Sequence, residues 1–116
     1  MRFIITLLLT IFTTSAVAET LTTDNYVIVI KRNCPEGYVT CDNVSYSGLS
    51  KKSGQTIRLK GSTIHTTCAD GTTPCRFIGY EFKNNGYTYT VFADGRLQVQ
   101  DQTDRVLVGE QGNWSD

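Results

Sequence analysis

Residues 77–92 read Phe-Ile-Gly-Tyr-Glu-Phe-Lys-Asn-Asn-Gly-Tyr-Thr-Tyr-Thr-Val-Phe, two runs on either side of Asn85-Gly86. Asn-Gly between such runs is the strongest short hairpin signal, because a tight two-residue turn needs φ > 0 at both central positions. A turn of this kind pairs Asn84 with Tyr87. One face of the predicted hairpin then carries Ile78, Tyr80, Phe82, Tyr87, Tyr89 and Val91. We expect this face to pack in the core.

The turn that follows the hairpin sets the register of the next strand. A two-residue turn at Asp94-Gly95 would pair Val91 with Gln98 and mix the apolar and polar faces. A three-residue loop over 93–95, with Gly95 in the left-handed region, pairs Val91 with Leu97 instead. Since a slip of one residue moves every side chain to the other face, we predict the three-residue loop.

The rest of the chain also shows strand patterns rather than helical ones. Tyr26–Ile30 is dense in β-branched residues and predicts a buried strand, and Thr56–Lys60 alternates as a half-buried strand does. Further short strands are expected at 43–46, 62–67, 105–108 and 112–114, with a loop over 48–54 and a turn at Gly61. No segment is long enough for a parallel crossover. We therefore predict an all-β fold, a small antiparallel β-sandwich or open barrel of about seven strands with little or no helix.

The beginning of the chain has the pattern of a secretory signal peptide. Met1-Arg2 precedes an apolar run over 3–12, and Ala16-Val17-Ala18 forms a small-x-small triplet. The apolar run is about half as long as a membrane-spanning helix requires. We predict cleavage after Ala18, with residues 1–18 removed and 19–116 forming a single β domain that is periplasmic or secreted and does not span a membrane.

The four cysteines form two similar segments, Cys34–Cys41 and Cys68–Cys75, which we call the first ring and the second ring. Each contains an acid followed by Gly, which is typical of a turn, so each segment should bring its own cysteines together. Crossed pairing and a four-cysteine zinc site are the alternatives. Structural zinc usually takes cysteines two to four residues apart, and exported chains usually oxidise theirs. We predict disulfides within each ring, and no metal or other cofactor.

The charge of the chain excludes some partners. Loss of Arg2 with the signal peptide would leave ten basic against eleven acidic residues, which gives no attraction to nucleic acid. Lys51, Lys52, Arg58 and Lys60 are the candidate interaction patch, for an acidic protein or an anionic component of the cell envelope. Arg58 and Lys60 share one face of a predicted strand, beside the loop that carries the two lysines.

Catalytic residues are not evident in the sequence. His65, the single histidine, lies between Ile64 and Thr66 on a predicted strand, without an identifiable nucleophile or orienting acid. Acids such as Glu36 and Asp70 are explained by their turns, so a carboxylate pair for glycoside hydrolysis is not indicated. We therefore expect a protein that is not an enzyme.

The segment from Cys41 to Trp114 resembles small exported proteins of Gram-negative bacteria. The resemblance lies in Lys51-Lys-Ser-Gly54, in Cys68-Ala-Asp-Gly-Thr-Thr-Pro-Cys75 and in Tyr80-Glu-Phe82. It implies a periplasmic or secreted location and assigns no functional residue. The size of the chain, its stapled loops and the lack of an evident catalytic set in the sequence favour a binding protein, such as an inhibitor or immunity protein. Such a protein would recognise another protein or an envelope component by surface complementarity. A structural or envelope-associated subunit is the alternative, and weak enzymatic activity is the least favoured one.

Overall fold

The computed structural model describes residues 18–115, which form nine antiparallel strands and no helix. Their bounds are β1 Ala18–Thr22, β2 Tyr26–Arg32, β3 Val44–Ser50, β4 Thr56–Thr67, β5 Pro74–Asn84, β6 Tyr87–Phe92, β7 Arg96–Gln100, β8 Val106–Gln111 and β9 Asn113–Ser115. The predicted all-β class is confirmed, with nine strands rather than about seven. The predicted signal sequence lies outside the described residues, except Ala18, which pairs with Lys31 at the start of β1.

One sheet contains all nine strands, in the order β8-β7-β6-β5-β4-β3-β2-β1-β9. The strands at its two edges, β8 and β9, are separated in the chain only by Gly112. The continuous segment formed by β8, Gly112 and β9 therefore pairs with β7 at one edge of the meander and with β1 at the other. This curls the meander into a nearly closed barrel, so the barrel alternative is the one observed. The Glu110 carboxylate accepts hydrogen bonds from the Asn25 amide and side chain, at 3.2 and 3.1 Å, across the junction.

The interior of the barrel is filled by alternate residues of the strands. Fully buried side chains come from β1, β2, β3, β5, β6 and β7, and the largest are Phe82, Leu21, Ile28, Ile30, Leu97, Val44 and Val91. Burial of apolar surface at about 25 cal/mol per Å² is the main stabilising contribution in a domain of this kind. In β2 only every second residue is buried, so this strand is half-buried rather than buried on both faces. Its outward side chains are available to form a surface.

Both predicted hairpin turns are confirmed. Asn84 pairs with Tyr87, and Asn85 and Gly86 have φ of 50° and 87°, as the tight two-residue turn requires. At the next turn Gly95 has φ of 94°, and Val91 pairs with Leu97. The three-residue loop therefore keeps the apolar faces of β6 and β7 on the same side of the sheet.

Two predicted interruptions of strands are wrong. β4 continues through Gly61, which pairs with Val44 on one side and with Phe82 on the other. A Cβ atom at Gly61 would lie 2.0 Å from the Glu81 carbonyl oxygen, so the glycine permits close approach of β5 rather than a turn. β3 likewise extends to Ser50, so that the loop predicted to begin at Gly48 is shorter.

A bulge in β5 changes which residue near the start of this strand packs against the core. Ile64 pairs with Gly79 but His65 pairs with Phe77, so Ile78 has no partner in β4. Phe77 packs against the core in place of Ile78, contrary to the prediction. Tyr87, also expected on the packed face, is exposed at the end of its strand.

Both rings are closed by disulfides within the ring, as predicted. Cys34 is joined to Cys41, and Cys68 to Cys75, with Cα–Cα distances of 5.8 and 5.1 Å. All four thiols are thereby used, which excludes the four-cysteine zinc alternative. Disulfides of this kind persist in compartments that oxidise thiols. The first ring joins β2 to β3, and the second lies at the tip of the β4–β5 hairpin.

Candidate interaction surface

The four basic residues of the predicted patch occupy two separate places. Lys51 and Lys52 are in the β3–β4 turn, where the Lys51 ammonium donates a 2.7 Å hydrogen bond to the Thr23 carbonyl. Arg58 and Lys60 lie on the outer face of β4, as their spacing predicted. Lys51 is therefore tied to the β1–β2 turn and does not extend the charge of β4.

Lys31 joins Arg58 and Lys60 on the outer face of the barrel. The register places Lys31 opposite Ser45, which in turn lies opposite Lys60. The Lys60 ammonium donates a 2.9 Å hydrogen bond to the Ser45 hydroxyl. Sequence reasoning missed Lys31 as part of this face, although burial of Ile30 implies that the next residue points outward. The resulting groove, of about 600 Å³, is basic and lined with serines.

The first ring has a fixed base and an exposed tip. Cys41 is buried in the core, and its amide donates a 2.9 Å hydrogen bond to the Thr63 hydroxyl of β4. At the tip, Gly37 has φ of 91° and turns the chain. Tyr38 and Val39 follow, with 65% and 64% of their surfaces exposed. The ring thus presents two large apolar side chains on a covalently closed loop.

A cleft of about 470 Å³ lies beneath the first ring, at the end of the barrel where β2 finishes. Arg32 projects into it, and its Nε donates a 3.1 Å hydrogen bond to the Tyr80 hydroxyl. The guanidinium carbon lies 4.7 Å from the centre of the Phe77 ring and 5.4 Å from that of Tyr80. Cation–π contacts at these distances hold the guanidinium in place. Among the described residues Arg32 has no ion-pair partner.

The wall of the cleft is an aromatic stack that fixes the position of Arg32. Phe77 packs edge-to-face on Tyr80, with ring centres 5.1 Å apart, and His65 lies 5.5 Å behind Phe77. Burial raises the pKa of the Tyr80 hydroxyl, and the adjacent Arg32 partly offsets that rise. The phenol therefore stays protonated. Its oxygen accepts the arginine hydrogen bond.

A second cleft, of about 340 Å³, continues from the first around the same aromatic wall. Glu19, Phe77 and Tyr80 line both clefts, and Trp114 of β9 closes the far side. The indole nitrogen of Trp114 donates a 3.0 Å hydrogen bond to the Ala93 carbonyl, which orients its ring. We call the ring tip and these two clefts the ring surface; its defining residues are Glu19, Arg32, Tyr38, Val39, Phe77, Tyr80 and Trp114.

Sequence reasoning did not assemble the ring surface. Arg32 lies just after the strand predicted over Tyr26–Ile30, and Phe77 is not on the face of the hairpin that was predicted to pack in the core. They meet because the bulge at Ile78 turns Phe77 inward and the register brings β5 beside β4. A bulge of one residue leaves no signal in an alternating pattern of this length, although the neighbouring Gly79 is a residue that bulges often use.

His65 has a structural setting. Its Nε2 lies 3.0 Å from the Thr63 hydroxyl, the same group that accepts the Cys41 amide hydrogen bond. The other ring nitrogen is buried and has no hydrogen-bond partner among the described residues. The histidine thus supports the base of the first ring and the Phe77 ring rather than facing a cleft.

Within residues 18–115, no group of three or more side chains is arranged to hold a metal ion. The same residues contain no helix that is long and apolar enough to cross a membrane. Comparison of the chain with protein-family models, with curated proteins and with solved structures finds no match.

Proposed function

We propose that this chain is an exported binding protein, acting in the periplasm or outside the cell, that recognises another protein through the ring surface. The observation that carries the proposal is the first ring, which holds Tyr38 and Val39 exposed on a disulfide-closed loop anchored in the core. A monomeric domain gains nothing in stability from apolar side chains in that position. A complex in which a partner covers these side chains would be stabilised by their burial.

Covalent closure of the ring favours binding. Ordering a loop on association costs about 0.5–1.5 kcal/mol for each immobilised side chain, and a loop that is already closed avoids part of that cost. Tyrosine and arginine are also among the residues that most often dominate binding energy at protein interfaces. Tyr38 at the tip and Arg32 in the cleft would fill those roles.

The charge of the clefts indicates what the partner would supply. Arg32 is held against two rings without an ion-pair partner among the described residues, so a carboxylate entering the cleft could bind it through two parallel hydrogen bonds. Glu19 and Glu36 line the same cleft and would favour a basic group beside that carboxylate. A partner loop with one acid flanked by a base fits this pattern. Blocking such a loop is how an inhibitor or immunity protein would act.

The test is capture of a partner from periplasmic extract, followed by affinity measurement with that partner purified. We expect Tyr38→Ser/Val39→Ser and Arg32→Gln each to weaken binding by about 30-fold or more, which corresponds to about 2 kcal/mol. The matched control is Val106→Ser/Leu107→Ser, which removes two apolar side chains of similar exposure, 50% and 51%, from β8. Equal binding by all three variants would exclude the ring surface, and repeated failure to capture any protein would count against a binding role.

A second candidate function uses the outer face of β2, β3 and β4. The groove formed by Lys31, Arg58 and Lys60 is basic and would suit an anionic component of the cell envelope. This function predicts that the protein fractionates with the outer membrane at low salt and is released by high salt. Arg58→Ala/Lys60→Ala should abolish that fractionation, whereas Lys51→Ala/Lys52→Ala, which alters the other pair, should leave it unchanged.

A further inference from the structure

The end of the barrel opposite the first ring contains a cleft of about 360 Å³. Three tyrosines, Tyr26, Tyr46 and Tyr89, line it together with aliphatic side chains that include Ile57 and Val108. These residues come from β2, β3, β4, β6 and β8, so the walls are built on paired strands rather than on a loop. The volume is within the range of about 300–1,000 Å³ typical of sites for small molecules.

Gly48 makes room for the floor of this cleft. A Cβ atom at Gly48 would lie 2.8 Å from Cε1 of the Tyr46 ring and 2.9 Å from its hydroxyl oxygen. The absence of a side chain lets the Tyr46 ring lie along β3. The ring is fixed there by Phe82, 5.1 Å away, and by Tyr89, which packs edge-on at 5.7 Å. The floor is therefore a rigid aromatic surface.

Among the described residues, those that line the cleft include no charged side chain. An ionic ligand would lose its hydration without gaining a counter-charge, which is costly in an apolar site. Ser53 and Gln55, in the β3–β4 turn, lie at the rim and offer a hydroxyl and an amide. Burial raises the pKa of the Tyr46 phenol, so its ring also stays neutral. The groups that line the cleft thus suit an uncharged ligand with a polar edge.

Aromatic rings prefer offset or edge-to-face contact with other rings, and such contacts strengthen binding beyond the burial of apolar surface alone. Three tyrosine rings around one small cleft provide several such contacts. We propose that this cleft binds a neutral, flat aromatic small molecule of one or two rings with a hydroxyl or carbonyl group at its edge. This site is separate from the ring surface and goes beyond the proposed protein-binding function.

The test uses two probes with the same rings and different charge, 2-naphthol and 2-naphthoate, titrated into the oxidised protein at neutral pH and followed by NMR. We expect 2-naphthol to shift the resonances of Tyr26, Tyr89 and Val108, and 2-naphthoate to bind at least about tenfold more weakly. Val108→Trp should fill the cleft and weaken 2-naphthol binding by about tenfold or more. The matched control, Leu107→Trp, places the same side chain on the opposite face of β8 and should leave binding unchanged.

Several results would overturn the inference. Failure of 2-naphthol to bind the folded protein, equal binding of the two probes, or unchanged binding in Val108→Trp would each do so. Loss of a captured protein partner in Val108→Trp, with no binding of 2-naphthol to the unmodified protein, would assign the cleft to a protein side chain instead. Neither tryptophan variant alters the ring surface. A failure of the 2-naphthol experiment would therefore leave the proposed protein-binding function, which the Tyr38→Ser/Val39→Ser variant tests, unaffected.

Discussion

Replacing Gly61 by alanine tests the close approach of β4 and β5 at this residue. The new Cβ would lie 2.0 Å from the Glu81 carbonyl oxygen and 2.6 Å from Cδ1 of Phe82, whereas ordinary contact begins at 3.4 Å. The first of these atoms belongs to the backbone, so β4 and β5 must separate. Gly61 has no positive φ, so the effect is one of space and not of backbone conformation.

The expected cost combines two contributions. Separation of the strands weakens one or two backbone hydrogen bonds, at about 0.5–1.5 kcal/mol each. Displacement of the fully buried Phe82 adds an overpacking cost of about 1–3 kcal/mol. We expect Gly61→Ala to lower the free energy of unfolding by about 2–4 kcal/mol, which lowers Tm by roughly 10–25 °C in a domain of about 100 residues. Urea unfolding followed by Trp114 fluorescence, with thermal unfolding by circular dichroism, measures both quantities.

Gly109 is the matched control for this substitution. It too lies in a strand without positive φ, but a Cβ there would meet nothing closer than Val106 Cγ1, at 3.7 Å. Gly109→Ala should therefore be neutral or raise stability by about 0.5 kcal/mol, because alanine has less conformational entropy to lose on folding. A loss below 1 kcal/mol for Gly61→Ala, or equal losses for both variants, would refute the reasoning from close approach.

Three further predictions concern the core and the rings. Phe82→Ala should cost about 3–5 kcal/mol in urea unfolding, because the ring is fully buried; a cost below 1 kcal/mol would contradict its central place. Cys34→Ser/Cys41→Ser should lower the free energy of unfolding by about 2.5 kcal/mol, because it opens an eight-residue ring in the unfolded chain. Thermal unfolding measures the difference. A stability equal to the parent's would show that the open loop is already constrained without the disulfide. The hydroxyl and amide of Thr73 hold the pKa of Asp70 at about 2, so its contribution to stability is complete above the ordinary carboxyl pKa and is lost as the pH falls through about 2. An NMR titration of the Asp70 carboxyl should have its midpoint near pH 2, and Thr73→Val should raise it; a midpoint that does not move in that variant would rule out the hydroxyl as the main cause.

Features that depend on neighbouring residues could be predicted from the sequence. Asn85-Gly86 determines its hairpin because few residues accept φ > 0, and the choice of loop at Gly95 follows from the faces of the two strands it joins. The pairing within each ring follows from a turn inside the ring. Each of these conclusions uses fewer than about twenty residues of sequence.

Features that depend on distant residues could not be predicted. Pairing of Leu21 with Trp114 closes the barrel, but nothing in either segment specifies the other. The ring surface needs Arg32 from β2 and Phe77 from β5, with a one-residue bulge between the pairing of Ile64 and that of His65. The division of the four basic residues between two places has the same origin. The alternation of β4 places Arg58 and Lys60 on one face, whereas the direction of the Lys51 side chain depends on the β1–β2 turn.

The junction between β1 and β9 has a consequence for the route by which the chain folds. Every other pair of neighbouring strands is also consecutive in sequence, so each of those pairs can form by closing a short loop. Only β1–β9 joins opposite ends of the described chain and must wait for a large loop to close. Until it forms, β1 offers a row of unsatisfied amides to which a second molecule could add a strand. The three residues of β9 thus cover the edge of β1 in the last pairing step. If that step is slow, newly folded molecules are exposed to aggregation through β1.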